Sequence, residues 1–163
     1  MQSVSTNAIS AFGSALVTRL LTNTRGTLVA SPFSVWATLA MAEGASVKDS
    51  AASDQLREML RFDLVEGDVH RWFQDICLKI STSDKMVRFT AANAVFAMDE
   101  VQSEYIEFCM SVFSAEVFQL QTRGDINDFV YNNTDGMIQE ILSEDPCGPS
   151  VLVNAALFQS PWN

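Results

Sequence analysis

The run Val151-Leu152-Val153-Asn154-Ala155-Ala156-Leu157-Phe158 limits the possible folds of this chain more than any other feature. A half-buried strand alternates apolar and polar residues, whereas a strand apolar on both faces has to be covered on both sides. The run therefore predicts a central strand in a layered sheet, with a neighbour on each edge. Only Gln159 to Asn163 follow it, so either an upstream strand takes the far edge or the sheet is incomplete. Asn154 is the polar exception in this run. A buried amide left without hydrogen bonds costs about 1–3 kcal/mol, so its partners have to be other buried polar groups. Ser31 and Ser34 are the obvious candidates; alternatively Ser31 is only a helix cap and Ser34 only its neighbour in the first turn.

Upstream, helical patterns fill the first half and strand patterns follow. Ser5, Thr6 and Asn7 offer caps for a first helix, whose Ile9, Phe12, Leu16 and Leu20 recur at spacings of three and four. Turn residues from Asn23 to Gly26 stop it, and Thr27 to Ala30 is a short strand-like run. Ser31-Pro32 then supplies a cap serine and a proline at the first helical position, where a missing N–H is harmless. From Pro32 to Glu43 the pattern is apolar almost all round, which marks a buried helix, and Gly44 should close it at the position that tolerates positive φ. Helices are expected over about 50–60 and 67–80, the second with Val69, Trp72, Phe73, Ile76 and Ile80 inward. Residues 86–98 read as a long strand and 103–113 as a helix. Glu116 to Gln121 alternates with period two, as a strand does. Asp125 should cap a last helix through Leu142, with Ile126, Phe129, Val130, Met137, Ile138, Ile141 and Leu142 inward.

A chain of 163 residues is expected to form one domain. At 48% apolar and 18% charged it is globular in composition, and seven Gly and four Pro exclude collagen-like and Pro-rich classes. No apolar run reaches the ~18 residues that span a bilayer. Twenty acidic against ten basic residues give a net charge of −10. Such a balance argues against sequence-independent nucleic-acid binding and against docking to anionic membranes, both of which need Lys and Arg. The first five residues show no basic, apolar secretory pattern.

Candidate chemistry is sparse. Cys77, Cys109 and Cys147 form no CxxC, and with the single His70 they have no metal-ligand spacing. They read as small buried hydrophobes or free thiols. His70 and Cys77 are seven residues apart, too far for a hydrogen bond on one straight helix. No phosphate-binding, dinucleotide, nucleophile-elbow or zincin motif is present. No enzyme activity, metal or cofactor is expected. Arg123-Gly124-Asp125 spells an adhesion tripeptide, but Asp at a helix start is better read as a cap. Asn132-Asn133-Thr134 matches a glycosylation sequon, placed inside a predicted helix.

Five segments resemble the serpins, the serine-protease-inhibitor superfamily. Ser31-Pro32-Phe33-Ser34, with Ala37-Thr38-Leu39-Ala40-Met41 and Gly44-Ala45, is similar to their second helix. Phe89 to Phe96 resembles the second strand of their main sheet, and Phe113-Ser114-Ala115-Glu116-Val117 a strand entry. Ile126-Asn127-Asp128-Phe129-Val130 and Thr134-Asp135-Gly136-Met137-Ile138 resemble the helix that overlies that sheet. Val151 to Phe158 with Trp162 is similar to the third strand. The segments stand in family order over nearly the whole chain. Phe129 occupies a position where the family usually has Trp, and Gln159-Ser160-Pro161 replaces the usual step before Trp162. Proline cannot donate to a ladder, so the strand end should be altered there.

The resemblance implies an α+β, serpin-like fold in which a helical N-terminal part packs on a mixed or antiparallel main sheet. Residues 1–163 would be one partial domain, without the C-terminal half and the reactive-centre loop. It implies a shutter role for Ser31, Ser34 and Asn154, a breach role for Trp162 and structural roles for Gly44, Thr134 and Gly136. No reactive-centre residue lies in these 163 residues. A serine protease is the implied partner only where the missing half is present. The alternative is a non-inhibitory half-serpin that accepts a strand from a partner or from itself. The fourth helix offers only Arg71 and Lys79, so no glycosaminoglycan site is expected. The family suggests the extracellular space; the lack of a leader pattern makes the cytosol the alternative.

Overall fold

Local sequence signals set most helix boundaries in the computed structural model, which describes residues 7–23, 25–82, 86 and 88–161, residues 7 and 82 in backbone only. The chain forms two compact units, residues 1–72 and 73–163.

The first unit holds α1 (Asn7–Asn23), α2 (Pro32–Gly44), α3 (Ala51–Met59), a 3₁₀ turn at Phe62–Leu64 and the start of α4 (Val69–Thr82). Ser31 and Ser50 each cap a helix by accepting the N–H three residues on, from Ser34 and Ser53. Trp36, Ala37, Ala40 and Met41 of α2 are fully buried, as an all-apolar helix requires. The Trp36 indole donates to the Leu60 carbonyl at 2.9 Å. Its ring packs on Phe62 and edge-on against Trp72, with centroids 5.7 and 5.5 Å away. A Cβ built on Gly13 would lie 2.9 Å from the Pro32 ring, so α1 and α2 approach through a glycine.

Two expectations fail in this unit. Thr27 to Ala30 is irregular, with Val29 91% exposed, because a strand exists only where a ladder partner does, and none pairs here among the described residues. Gly44 is the last residue of α2 and has no positive φ. Ser46 makes a left-handed cap unnecessary: its N–H donates to the Glu43 carbonyl and its hydroxyl to that of Ala42.

The second unit holds the rest of α4, then β1 (Arg88–Ala97), α5 (Ser103–Phe113), β2 (Glu116–Gln119), α6 (Arg123–Asn133) and β3 (Ser150–Gln159). The strands form one mixed sheet in the order β2-β1-β3. β1 and β2 are parallel, joined through α5, as a parallel pair needs a crossover. β1 and β3 pair antiparallel over ten residues, from Arg88 opposite Gln159 to Ala97 opposite Ser150. Ala94, Phe96, Val153 and Ala155 on one face of the sheet meet Ile126, Phe129 and Val130 of α6.

Four expectations change here. β1, not β3, is the middle strand; β3 lies at the edge among the described residues. β2 pairs only to Gln119, because the N–H groups of Gln121 and Thr122 turn to the Asp125 carboxylate. Asp125 is therefore not the cap: Thr122 is, and Asp125 completes a capping box from the third helical position. The helix also stops at Asn133 and not at Leu142. Asp135 and Gly136 take φ of 51° and 73°, and the buried Thr134 hydroxyl donates to Val130 O and accepts from Ile138 N–H. Ile138 and Leu142 still pack on the core, while Met137 and Ile141 are exposed.

Candidate functional site

The sheet carries a buried amide relay. Asn93 and Asn154 stand opposite each other on β1 and β3. The Asn154 amide donates to Asn93 Oδ1 at 2.7 Å, and the Asn93 amide donates to the Phe113 carbonyl at the end of α5, at 2.8 Å. Asn93 is 4% exposed. The relay thus ties both long strands to α5. Asn154 Oδ1 is buried and has no donor among the described residues. An open acceptor of this kind beside a strand edge is a place for a further donor. The sequence reading does not single out Asn93. The physical argument for Asn154 applies to it equally, since it is the one amide in the run from Phe89 to Phe96.

Ser31 and Ser34 belong to the first unit, where the Ser34 hydroxyl donates to that of Ser31 at 2.9 Å. Ser31 is exposed and Ser34 half-buried. Trp162 lies outside the described residues. Thr134 and Gly136 form the turn that ends α6, with the Gly136 N–H donating to the Tyr131 carbonyl at 2.9 Å. The strand β3 stops at Gln159, two residues before Pro161.

The adhesion tripeptide is built into the first turn of α6. The Asp125 carboxylate accepts from the N–H groups of Thr122 and Gln121, which hold its pKa below the ordinary carboxylate range. The Arg123 side chain donates to the Ser143 carbonyl. Asn132 of the sequon is exposed in the last turn of α6, with Thr134 as the C-cap. His70 and Cys77 lie on the same helix, α4. Burial pushes the Cys77 thiol up to about 11 and raises that of Cys109 as well, so neither is a thiolate nucleophile near neutral pH. Among the described residues no three His, Cys, Asp or Glu side chains are grouped to hold a metal ion. No described helix is long and apolar enough to cross a membrane.

Among the described residues, six helices, a mixed sheet with β3 at one edge and an amide relay inside that sheet make an α+β fold. Residues 7–163 match the family model described as serpin (serine protease inhibitor), and the chain belongs to this family. It is 30% identical over 145 residues to human Serpin B8, covering 82% of this chain and 38% of that protein. It is 30% identical over 147 residues to Serpin B6 of Macaca fascicularis, covering 82% of this chain and 39% of that protein. The chain therefore spans well under half the length of these relatives. Among solved structures, the thermophilic serpin tengpin in its latent state shares the fold, with a TM-score of 0.85 at 22% identity over 99% of this chain and 45% of tengpin.

Proposed function

We propose that residues 1–163 are the N-terminal portion of a serine-protease inhibitor and form one partial serpin domain, not an enzyme. The observation that carries this reading is the family match over residues 7–163, joined to a main sheet in which β3 pairs on one side only among the described residues. A protease would then be engaged only by a product that also contains the remaining sheet and the reactive-centre loop. The shutter role of Ser31, Ser34 and Asn154 and the breach role of Trp162 belong to the same proposal, as does an extracellular site of action.

The test is to incubate the endogenous protein and the 163-residue polypeptide separately with trypsin, chymotrypsin and elastase and to look for SDS-resistant complexes. A longer endogenous product should form such a complex with one of them, and the 163-residue chain should leave all three fully active. A longer product that is merely cleaved, or a covalent complex on the short chain, would overturn the proposal. A second reading, a non-inhibitory module that accepts a strand, is favoured by the edge of β3 that pairs with nothing among the described residues. Capture of the short chain by an immobilised strand peptide, with no inhibitory longer product, would select it.

A further inference from the structure

The groove between β2 and α6 lies wholly in the second unit and serves none of the roles above. Its volume is about 470 Å³, within the usual range for binding clefts. The base is the half-buried Phe118, packed on the buried rings of Phe96 and Phe129. Phe118 stacks on Phe96 with centroids 5.1 Å apart and 24° between the planes, and Phe129 stands edge-on to both at 5.8 Å. Glu116, Asp125 and Asp128, all exposed, form the wall, and no Lys or Arg lines the groove among the described residues. Asp125 is already engaged by backbone N–H groups, whereas Glu116 and Asp128 take part in no ion pair among the described residues.

The position of the groove matters as much as its lining. β2 is the outermost strand on this side of the sheet, and its free edge pairs with nothing among the described residues. A segment added along that edge would place every second side chain on the face that carries Glu116 and Phe118. An aromatic base with uncompensated carboxylates suits a planar guanidinium, which stacks on phenyl faces and accepts two carboxylate partners. The net charge of −10 would speed the approach of a basic partner.

We propose that this groove docks an extended, arginine-bearing segment of a partner protein, with the guanidinium on the Phe118 ring between Glu116 and Asp128. The probe is the peptide acetyl-Val-Arg-Val-Arg-Val-amide, titrated calorimetrically into the protein, beside its citrulline counterpart. Saturable binding is expected, weaker by about fivefold or more for the citrulline peptide. The double substitution Glu116→Gln with Asp128→Asn should weaken the arginine peptide by a similar factor. Asp54→Asn with Glu58→Gln, an equal change of charge on α3, should leave it unchanged. Absence of saturable binding, equal affinity for citrulline, or equal weakening by the α3 pair would overturn the proposal. The citrulline comparison uses the unaltered protein, so the result stands even where the double variant fails to fold.

Discussion

Asn93 and Asn154 show how two residues of one type at one level of a sheet carry different loads. Asn93→Ala would strip the Phe113 carbonyl of its donor and leave the Asn154 amide without an acceptor. That should cost about 2–4 kcal/mol, the penalty for two buried groups left unpaired. Asn154→Ala orphans only Asn93 Oδ1 and removes an acceptor that is unsatisfied already, so about 1 kcal/mol or less is expected. Thermal midpoints of the two variants check the order; equal losses would contradict it. In the first unit, Glu43 is 7% exposed at the end of an otherwise apolar helix. Its Oε1 accepts from the Ser53 hydroxyl at 3.0 Å and from Arg57 at 3.2 Å, and Arg57 also lies over the Phe62 ring. Arg57→Ala should cost about 1–2 kcal/mol, a buried carboxylate losing one partner whose other side faces water. Trp36 and Trp72 both belong to this unit, so the urea midpoint of tryptophan fluorescence reads the loss. Asn154 was legible in sequence because its neighbours are apolar on both faces. The burial of Glu43 was not, because both of its partners are supplied by a different helix.

At the level of elements, the end of α6 depends on backbone conformation that side-chain periodicity does not record. Ile138 and Leu142 continue the apolar pattern, yet the helix has already stopped at Asn133. Gly136 has φ of 73°, and a Cβ there would lie 3.1 Å from the Tyr131 ring. Gly136→Ala should therefore destabilise the second unit by about 1–2 kcal/mol through the left-handed conformation alone. A denaturant midpoint unchanged from the parent would show that the turn can rearrange. The start of α6 carries a pH dependence. Asp125 has a pKa below the ordinary value of 3.8, first because of the Thr122 N–H. A carboxyl lowered on folding contributes its support in full above the ordinary range and loses it as pH falls through the lowered value. Asp125→Asn keeps an acceptor but no longer titrates, so helicity below about pH 4 should decline less steeply in the variant, as far-UV circular dichroism can follow. Steeper loss in the variant would reverse that sign. The α6 cap was legible as a polar cluster, Thr122 to Asp125. Which member caps was not, because Thr122 and Asp125 satisfy each other's donors reciprocally.

For the molecule as a whole, the decisive feature is an edge. β3 pairs on one side with β1 over ten residues, and among the described residues nothing pairs on its other side. Phe158 near its end is 65% exposed. Long apolar edges template pairing with other chains, so the isolated 163-residue polypeptide should self-associate. Light scattering coupled to size exclusion should show oligomers; a monomer with a cooperative melt would count against it. Sequence alone determined the apolar stripes of the helices, the cap of α2 at Ser31-Pro32, both long strands and the order of motifs that marks a serpin. These features are local: they follow from periods of 3.6 and 2, from cap chemistry and from residue spacing. Only the tertiary structure decided that β1 is the middle strand, that Asn93 is the partner of Asn154, that Thr27 to Ala30 is not a strand and that α6 ends early. A ladder, a buried polar pair and the depth of a side chain each need a partner distant in sequence, and one stretch of chain cannot name that partner.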